Sequence, residues 1–157
     1  MEEVTHRILL EAVRGRGTHI DPLKALRGLL PEQARKKPAP DLHSVWETLY
    51  HMVFWQNLIF DAVEGKKVDW KAAEGNDWPS REYLAVETNW PDLLAEFEMG
   101  LAEAERLVQE RELTDSIPSW PKASLAKAFL VLVQHSSYHL GQIVTCRKAL
   151  GFWPPPD

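Results

Sequence analysis

The feature that most constrains this chain is a pair of histidines, His135 and His139, inside an apolar helical pattern near the C-terminus. Residues at steps of three and four lie on one face of a helix, and this spacing continues on both sides of the pair. The stripe consists of Ala128, Leu132, His135, His139, Ile143 and Cys146. Because an unpaired imidazole is costly in an apolar core, such a stripe needs something that binds the ring nitrogens. Two imidazoles four residues apart can share a metal ion.

Helical periodicity accounts for four long segments, and no segment has the alternation typical of a strand. The segments run from about Val4 to Val13, from Ser44 to Gly65, from Ser80 or Asn89 to about Arg111, and from about Lys122 to Leu150. Ser44 and Glu47 form a capping box, which is the clearest helix start in the chain. Asp21-Pro22 predicts a shorter helix between the first two segments. The sequence therefore predicts an all-α protein, a four-helix bundle formed as a single domain over residues 1–157.

Composition excludes several classes of partner. The net charge of −5 argues against nucleic acid, and the short basic cluster Arg35-Lys36-Lys37 is interpreted as a solvated helix end rather than a phosphate site. No run approaches the roughly 18 apolar residues of a membrane span, so no membrane partner is expected. The acidic start of the chain lacks the features of a secretion signal. Cys146 is the only cysteine, which excludes an intrachain disulfide and favours a cytoplasmic protein.

A histidine pair needs a third ligand from elsewhere in the fold to make a useful metal site. Of the six histidines, His51 is the strongest candidate, because it lies inside the second long helix on a track with Thr48 and Trp55 that could face the bundle axis. His43 precedes the helix cap and is interpreted as a residue of the helix start. Glu47, one turn before His51, already has a role in the capping box. Periodicity alone leaves the third ligand open.

The strings His51–Trp55 (HMVFW) and His135–Ile143 (HSSYHLGQI) resemble the DinB-like family, also called YfiT-like. Pro38-Ala39-Pro40, ahead of Ser44, also resembles the segment that leads into the second helix of that family. Its members are four-helix-bundle metalloenzymes with one histidine on the second helix and a His-x-x-x-His pair on the last. The resemblance implies that His51, His135 and His139 form a metal triad, and that the protein is a homodimer.

Three neutral imidazoles leave at least one coordination position open, as in catalytic rather than structural sites. Zn²⁺ and Ni²⁺ both suit nitrogen ligands, and the sequence does not choose between them. Tyr138 and Gln142 either orient ligands or substrate, or lie on the helix surface. Cys146 lies about 10 Å beyond His139 along the helix, too far for the same ion, and is predicted to be a buried, inert thiol.

Negative evidence narrows the reaction. A zinc protease of the His-Glu-x-x-His type carries its glutamate base between the two histidines, where this chain has Ser136 and Ser137. This difference argues against peptide hydrolysis by that mechanism. There is no glycine-rich phosphate loop and no Gly-x-Ser-x-Gly elbow.

Three hypotheses follow for the function. Some relatives are similar to thiol S-transferases, which implies a metal-dependent enzyme that joins a low-molecular-weight thiol to a small-molecule substrate. The alternatives are a non-catalytic, metal-stabilised bundle that acts as a dimer or interaction module, and a metal-dependent hydrolase of a small molecule. A transferase needs a cavity beside the open coordination position, and the long connection between Trp70 and Trp78 is expected to roof it.

Overall fold

The computed structural model describes residues 2–156, and all regular secondary structure in that range is helical. The helices are α1 (Glu2–Val13), α2 (Pro22–Leu26), α3 (Pro31–Ala34), α4 (Val45–Val63), α5 (Trp70–Ala73), α6 (Arg81–Ala85), α7 (Asn89–Glu110) and α8 (Leu125–Ala149). Between residues 2 and 156 the extended pairing is limited to an isolated bridge between Ser116 and Ser124. The predicted all-α class is confirmed.

The four long helices α1, α4, α7 and α8 form a bundle, as predicted. Helix α4 packs against both α7 and α8, and α1 closes the other side by packing against the same two helices. Most of the largest buried side chains come from α4, α7 and α8, and include Trp46, Leu49, Met52, Trp90, Phe97, Leu125, Phe129 and Ile143. In the described part of the chain, no helix combines the length and the apolar character needed to cross a membrane.

The predicted capping box at the start of α4 is present. Ser44 Oγ accepts a hydrogen bond from the Glu47 backbone N–H at 3.2 Å, and the Glu47 carboxylate accepts one from the Ser44 N–H at 2.8 Å. Lys37 Nζ lies 3.0 Å from the same carboxylate. Burial alone would raise the pKa of Glu47, but these hydrogen bonds outweigh it and lower the pKa. Glu47 thus fixes the first turn of α4, one turn before His51.

Helix α4 approaches α7 closely at Gly100. A Cβ atom at this position would overlap the side-chain amide of Gln56, which is 1% exposed. The absence of a side chain at Gly100 therefore lets Gln56 lie between the two helices. This contact fixes one face of α4 against α7, and another face of α4 packs against α8.

Two helix starts differ in detail from the sequence pattern. Both starts proposed for the third segment occur, because Ser80 caps the short α6 through the Tyr83 N–H while Asn89 begins the separate α7. The last helix begins at Leu125, with Ser124 as its cap, rather than near Lys122. Lys122 has a φ of 67°, in the left-handed region, which is incompatible with a helical turn.

The basic cluster of residues 35–37 is paired within the protein. Arg35 Nη2 lies 3.1 Å from the Glu87 carboxylate, and Lys37 contacts Glu47 as described above. The ammonium group of Lys36 lies 5.5 Å from the centre of the Phe152 ring. Each of the three basic side chains therefore has a partner within the protein.

Candidate metal centre

Three histidines converge between α4 and α8. His51 comes from α4, while His135 and His139 come from successive turns of α8. One ring nitrogen from each residue can be chosen so that the three atoms lie within 4.8 Å of one another. The Nε2 atoms of His51 and His135 are 3.1 Å apart, and the ring centres are separated by 4.5 to 5.0 Å. The structure therefore brings together all three predicted ligands in an arrangement that could hold one metal ion.

The Nδ1 atoms of two of these rings contact oxygen atoms. His51 Nδ1 lies 3.2 Å from the Asp77 backbone carbonyl and 3.3 Å from the Asp77 carboxylate. His139 Nδ1 lies 2.7 Å from the side-chain carbonyl oxygen of Gln142. Since these oxygens only accept hydrogen bonds, we assign the proton of each neutral ring to Nδ1. That tautomer leaves the Nε2 lone pairs of His51 and His139 free to bind a metal.

Asp77 is itself held in place. Its carboxylate accepts a hydrogen bond from the Trp55 indole N–H at 3.0 Å. Helix α4 therefore carries both His51 and the residue that holds Asp77 beside it. Asp77 thus connects Trp55 and His51, which lie one turn apart on the same helix. Carboxylates in this position commonly fix the orientation of a metal-binding imidazole.

The indole of Trp78 covers one side of the cluster. Its ring lies parallel to that of His51, at 4.3 Å between ring centres, and parallel to that of His43 on its other face, at 3.7 Å. Trp70, at the other end of the connection, packs instead on Trp120 at 5.0 Å. The connection therefore covers His51 only through its last residues, whereas the sequence pattern suggested the whole stretch.

Burial gives the cluster its electrostatic character. It lowers the pKa of His51, of His139 and, most strongly, of His135, whose pKa falls to about 4. The proximity of the other two imidazoles lowers the pKa of His135 further. All three rings are therefore neutral at pH 7, which is the form that binds a metal ion.

We expect the metal-free protein to lose stability on mild acidification. In the unfolded chain these histidines bind protons with a pKa near 6.5, whereas in the folded protein burial lowers the pKa, to about 4 for His135. Unfolding therefore takes up protons in this pH window, and the free energy of unfolding should fall by about 1–2 kcal/mol between pH 7 and pH 5. Well above pH 6.5, where the rings are neutral in both states, the same groups contribute no pH dependence. Urea denaturation of chelator-treated protein at a series of pH values measures this.

Two variants provide the comparison for this pH dependence. His135→Gln should have a visibly shallower slope of stability against pH, because it removes the ring with the lowest pKa. His19→Gln changes an exposed histidine outside the cluster and should keep the wild-type slope. Equal slopes in all three proteins would contradict burial of neutral imidazoles in the folded state.

The structure distinguishes the roles that the sequence left open for residues around the pair. Gln142 contacts His139 directly, so it orients a candidate ligand. Tyr138 is 67% exposed, with its ring edge-on to that of His139 at 5.0 Å. Cys146 is buried, and burial raises the pKa of its thiol, in agreement with the prediction of an inert side chain.

Sequence reasoning missed Asp77, Trp78 and the nearness of His43. Asp77 and Trp78 belong to a connection that has no periodicity, and tryptophan and aspartate recur along that connection. The side chain of His43 was assigned to the start of the helix, but its ring stacks on Trp78. The Asp77-Trp78-Pro79 tripeptide, at the end of an unusually long connection, was the available signal.

A cavity of about 500 Å³ lies beside the cluster, between the N-terminal end of α4 and the C-terminal half of α8. We call it the α4–α8 cavity. Gln142 and Tyr138, which both contact His139, form part of its wall, and Thr48 and Cys146 lie on opposite helices. The cavity therefore shares side chains with the surroundings of the candidate centre.

The protein is an all-α bundle in which two helices bring three neutral imidazoles together. Its fold and site therefore place it among helical proteins with a candidate metal centre inside the bundle. The model of the DinB superfamily matches residues 18–143. The chain belongs to the DinB superfamily, as the sequence motifs predicted. Searches of curated proteins and of solved structures gave no match.

Proposed function

We propose that His51, His135 and His139 hold a divalent metal ion and that the protein is a metal-dependent enzyme. The observation that carries this proposal is the convergence of three ring nitrogens within 4.8 Å, from two helices of the bundle. The residues fit such an ion, because buried neutral imidazoles are good ligands for Zn²⁺ or Ni²⁺, and three of them leave a coordination position for a substrate. When bound, the ion acts as a Lewis acid that lowers the pKa of a coordinated thiol or water.

The protein side chains around the histidines have separate tasks in this proposal. Asp77 and Gln142 hold the rings of His51 and His139 through Nδ1, which leaves their Nε2 lone pairs free for an ion. Trp78 excludes water from the side of His51 on which it stacks. These contacts fix the ligands before an ion arrives, which lowers the cost of ordering them on binding.

Transfer of a low-molecular-weight thiol to a small-molecule electrophile is the reaction that we favour. The thiol sulfur forms a bond to an electrophilic carbon, the bond from that carbon to its leaving group breaks, and the thiol proton passes to solvent. Two points support this choice: the family resemblance, which implies thiol S-transferases among the relatives, and the α4–α8 cavity beside the centre. Hydrolysis would need water in place of the thiol, and a non-catalytic bundle would need neither.

A turnover assay separates these three functions. Protein loaded with zinc or nickel, and a chelator-treated sample, are incubated with monochlorobimane and one of bacillithiol, mycothiol or glutathione. We expect conjugate formation, followed by fluorescence and mass spectrometry, that requires both metal and thiol. The His19→Ala variant should match wild type, since His19 lies outside the cluster. Metal-dependent consumption of substrates without thiol would instead show a hydrolase, and no metal-dependent turnover with any thiol would favour the non-catalytic bundle.

We expect Asp77→Ala to weaken metal binding without abolishing it. The substitution removes the carboxylate that contacts His51 Nδ1 and Trp55 Nε1, while the Asp77 backbone carbonyl remains. Loss of a residue that orients a ligand typically costs about 10- to 100-fold in metal affinity. Competition with a chromogenic chelator measures the affinity. Asp69→Ala is the matched control, because Asp69 caps α5 in the same connection, and unchanged affinity in both variants would contradict the role assigned to Asp77.

A further inference from the structure

The α4–α8 cavity has the dimensions of a small-molecule site. Its volume of about 500 Å³ lies within the range of roughly 300–1,000 Å³ that is usual for sites that bind small organic ligands. Thr48 and Cys146, which line it, are only 3% and 6% exposed. Most of the other lining residues are exposed, so the cavity is an open groove whose buried part lies between α4 and α8.

The lining of the cavity disfavours anionic ligands. Most of it is apolar, and no lysine or arginine contributes to it. The cavity wall includes the carboxylate of Asp41, at an exposed position, and this negative charge disfavours an anion. The Thr48 hydroxyl already donates a hydrogen bond to the Ser44 carbonyl at 2.9 Å. A neutral and largely apolar molecule is the ligand that such a lining accommodates at least cost.

Gln142 joins the cavity to the histidine cluster. Its carbonyl oxygen lies 2.7 Å from His139 Nδ1, and the same side chain lines the cavity. Its amide nitrogen is available to donate a hydrogen bond to a ligand, because the described contacts of Gln142 use only the oxygen. A polar atom on a neutral ligand could thus be held near the centre while the apolar remainder fills the cavity.

The volume of the cavity favours a small molecule over a protein partner. Leu42 and Tyr138 are 54% and 67% exposed, so a second protein surface could cover their outer faces. The volume of about 500 Å³, however, is that of a site for a small organic ligand, and part of it lies against the buried residues Thr48 and Cys146. The buried part of the cavity is matched by a ligand small enough to enter.

We propose that the α4–α8 cavity binds the neutral, apolar part of the substrate on which the metal centre acts, with Gln142 placed between the two. This inference rests on the proposed function, because it assigns a substrate class to the same centre. It selects uncharged apolar electrophiles over anionic ones.

A neutral apolar fluorophore, N-phenyl-1-naphthylamine, tests the cavity directly. We expect saturable binding to the zinc-loaded wild type. Gly141→Leu should weaken that binding about tenfold or more, because the new side chain would occupy part of the cavity. A Cβ at Gly141 meets no atom within 4 Å, and leucine favours a helix more than glycine does, so the variant is expected to fold. Gln134→Leu, at an exposed position of α8 outside the cavity, is the matched control and should bind as wild type does.

Further measurements on the same samples separate this inference from the proposed function. Circular dichroism reports folding, and elemental analysis reports metal content independently of the fluorophore. Metal-loaded wild type that fails to bind the fluorophore, or Gly141→Leu that binds it as well as wild type does, would overturn the inference and leave the proposed function standing. Absence of metal from the wild type would instead refute the proposed function, and with it the assignment of the fluorophore site to a substrate.

Kinetics and concentration dependence complete the test. With an uncharged electrophile, Gly141→Leu should raise KM about tenfold while kcat changes little, because the substitution affects binding and leaves the histidines in place. A fall in kcat with unchanged KM would contradict the role of the cavity in binding. Fluorophore binding that is lost at high protein concentration, in step with dimer formation measured by sedimentation, would assign the cavity mouth to a second copy and overturn the proposal.

Discussion

Replacing any one of His51, His135 and His139 by alanine should reduce the bound zinc or nickel from about one ion per chain to less than about a tenth after dialysis. Each histidine supplies one of three nitrogens, and two imidazoles alone bind a metal poorly. Removal of His51 would leave ligands from α8 only, so the ion would no longer join two helices. Elemental analysis of the dialysed proteins, beside wild type, measures the effect.

His19→Ala is the matched control for this experiment. His19 also contacts α8, through a hydrogen-bond distance of 3.0 Å between its Nε2 and the Ser137 hydroxyl, but it is exposed and lies outside the cluster. It should retain the wild-type metal content. Far-UV circular dichroism shows whether each variant is folded. Equal metal content in wild type and in all four folded variants would refute the assignment of the site.

Trp90→Ala is expected to lower the free energy of unfolding by about 3–5 kcal/mol, the usual cost of truncating a fully buried tryptophan. Trp90 is 2% exposed and packs on Trp46 with 5.4 Å between ring centres. Its indole N–H donates a hydrogen bond to the Leu29 carbonyl at 3.0 Å, which ties the start of α7 to the segment before α3. The substitution leaves both a void and a carbonyl without its donor. Urea denaturation of the metal-free protein measures the loss.

Trp90→Phe separates packing from hydrogen bonding at the same position. Phenylalanine keeps much of the buried area but cannot donate to the Leu29 carbonyl, so a smaller loss of about 1–3 kcal/mol is expected. Trp153→Phe, near the end of the chain at a partly exposed position, should change stability little. A loss below about 1 kcal/mol for Trp90→Ala would contradict the place of this residue in the core.

The parts of the fold that the sequence predicted are those that local chemistry determines. Three predicted features depend on residues that are close together in the sequence, and all three appear in the structure. They are the capping box of Ser44 and Glu47, the proline after Asp21 and the apolar stripe of α8. The start of α8 was placed too early, because the left-handed backbone at Lys122 leaves no trace in a pattern of apolar residues. The break between α6 and α7 left two starts open for a similar reason.

The sequence predicts those parts of the candidate site that depend on residues close together in the chain, and it does not predict those that depend on tertiary contacts. The spacing of His135 and His139 places both rings on one face of α8 without any knowledge of the fold. His51 needed the family resemblance, because the pairing of α4 with α8 is a tertiary contact. Asp77 and Trp78 were out of reach, since no periodicity governs the connection that brings them over His51. The single domain, the homodimer and the cytoplasmic location stay predictions.

The position of the cluster in the chain has a further consequence. His51 and His135 are 84 residues apart in sequence, and the rings meet only because α4 lies against α8. An ion between them would be a reversible crosslink that closes a long loop. Closing such a loop lowers the conformational entropy of the unfolded chain. Removal of the ion by a chelator would then weaken the contact between α4 and α8. The supply of metal would therefore determine how long the protein resists heat or proteolysis.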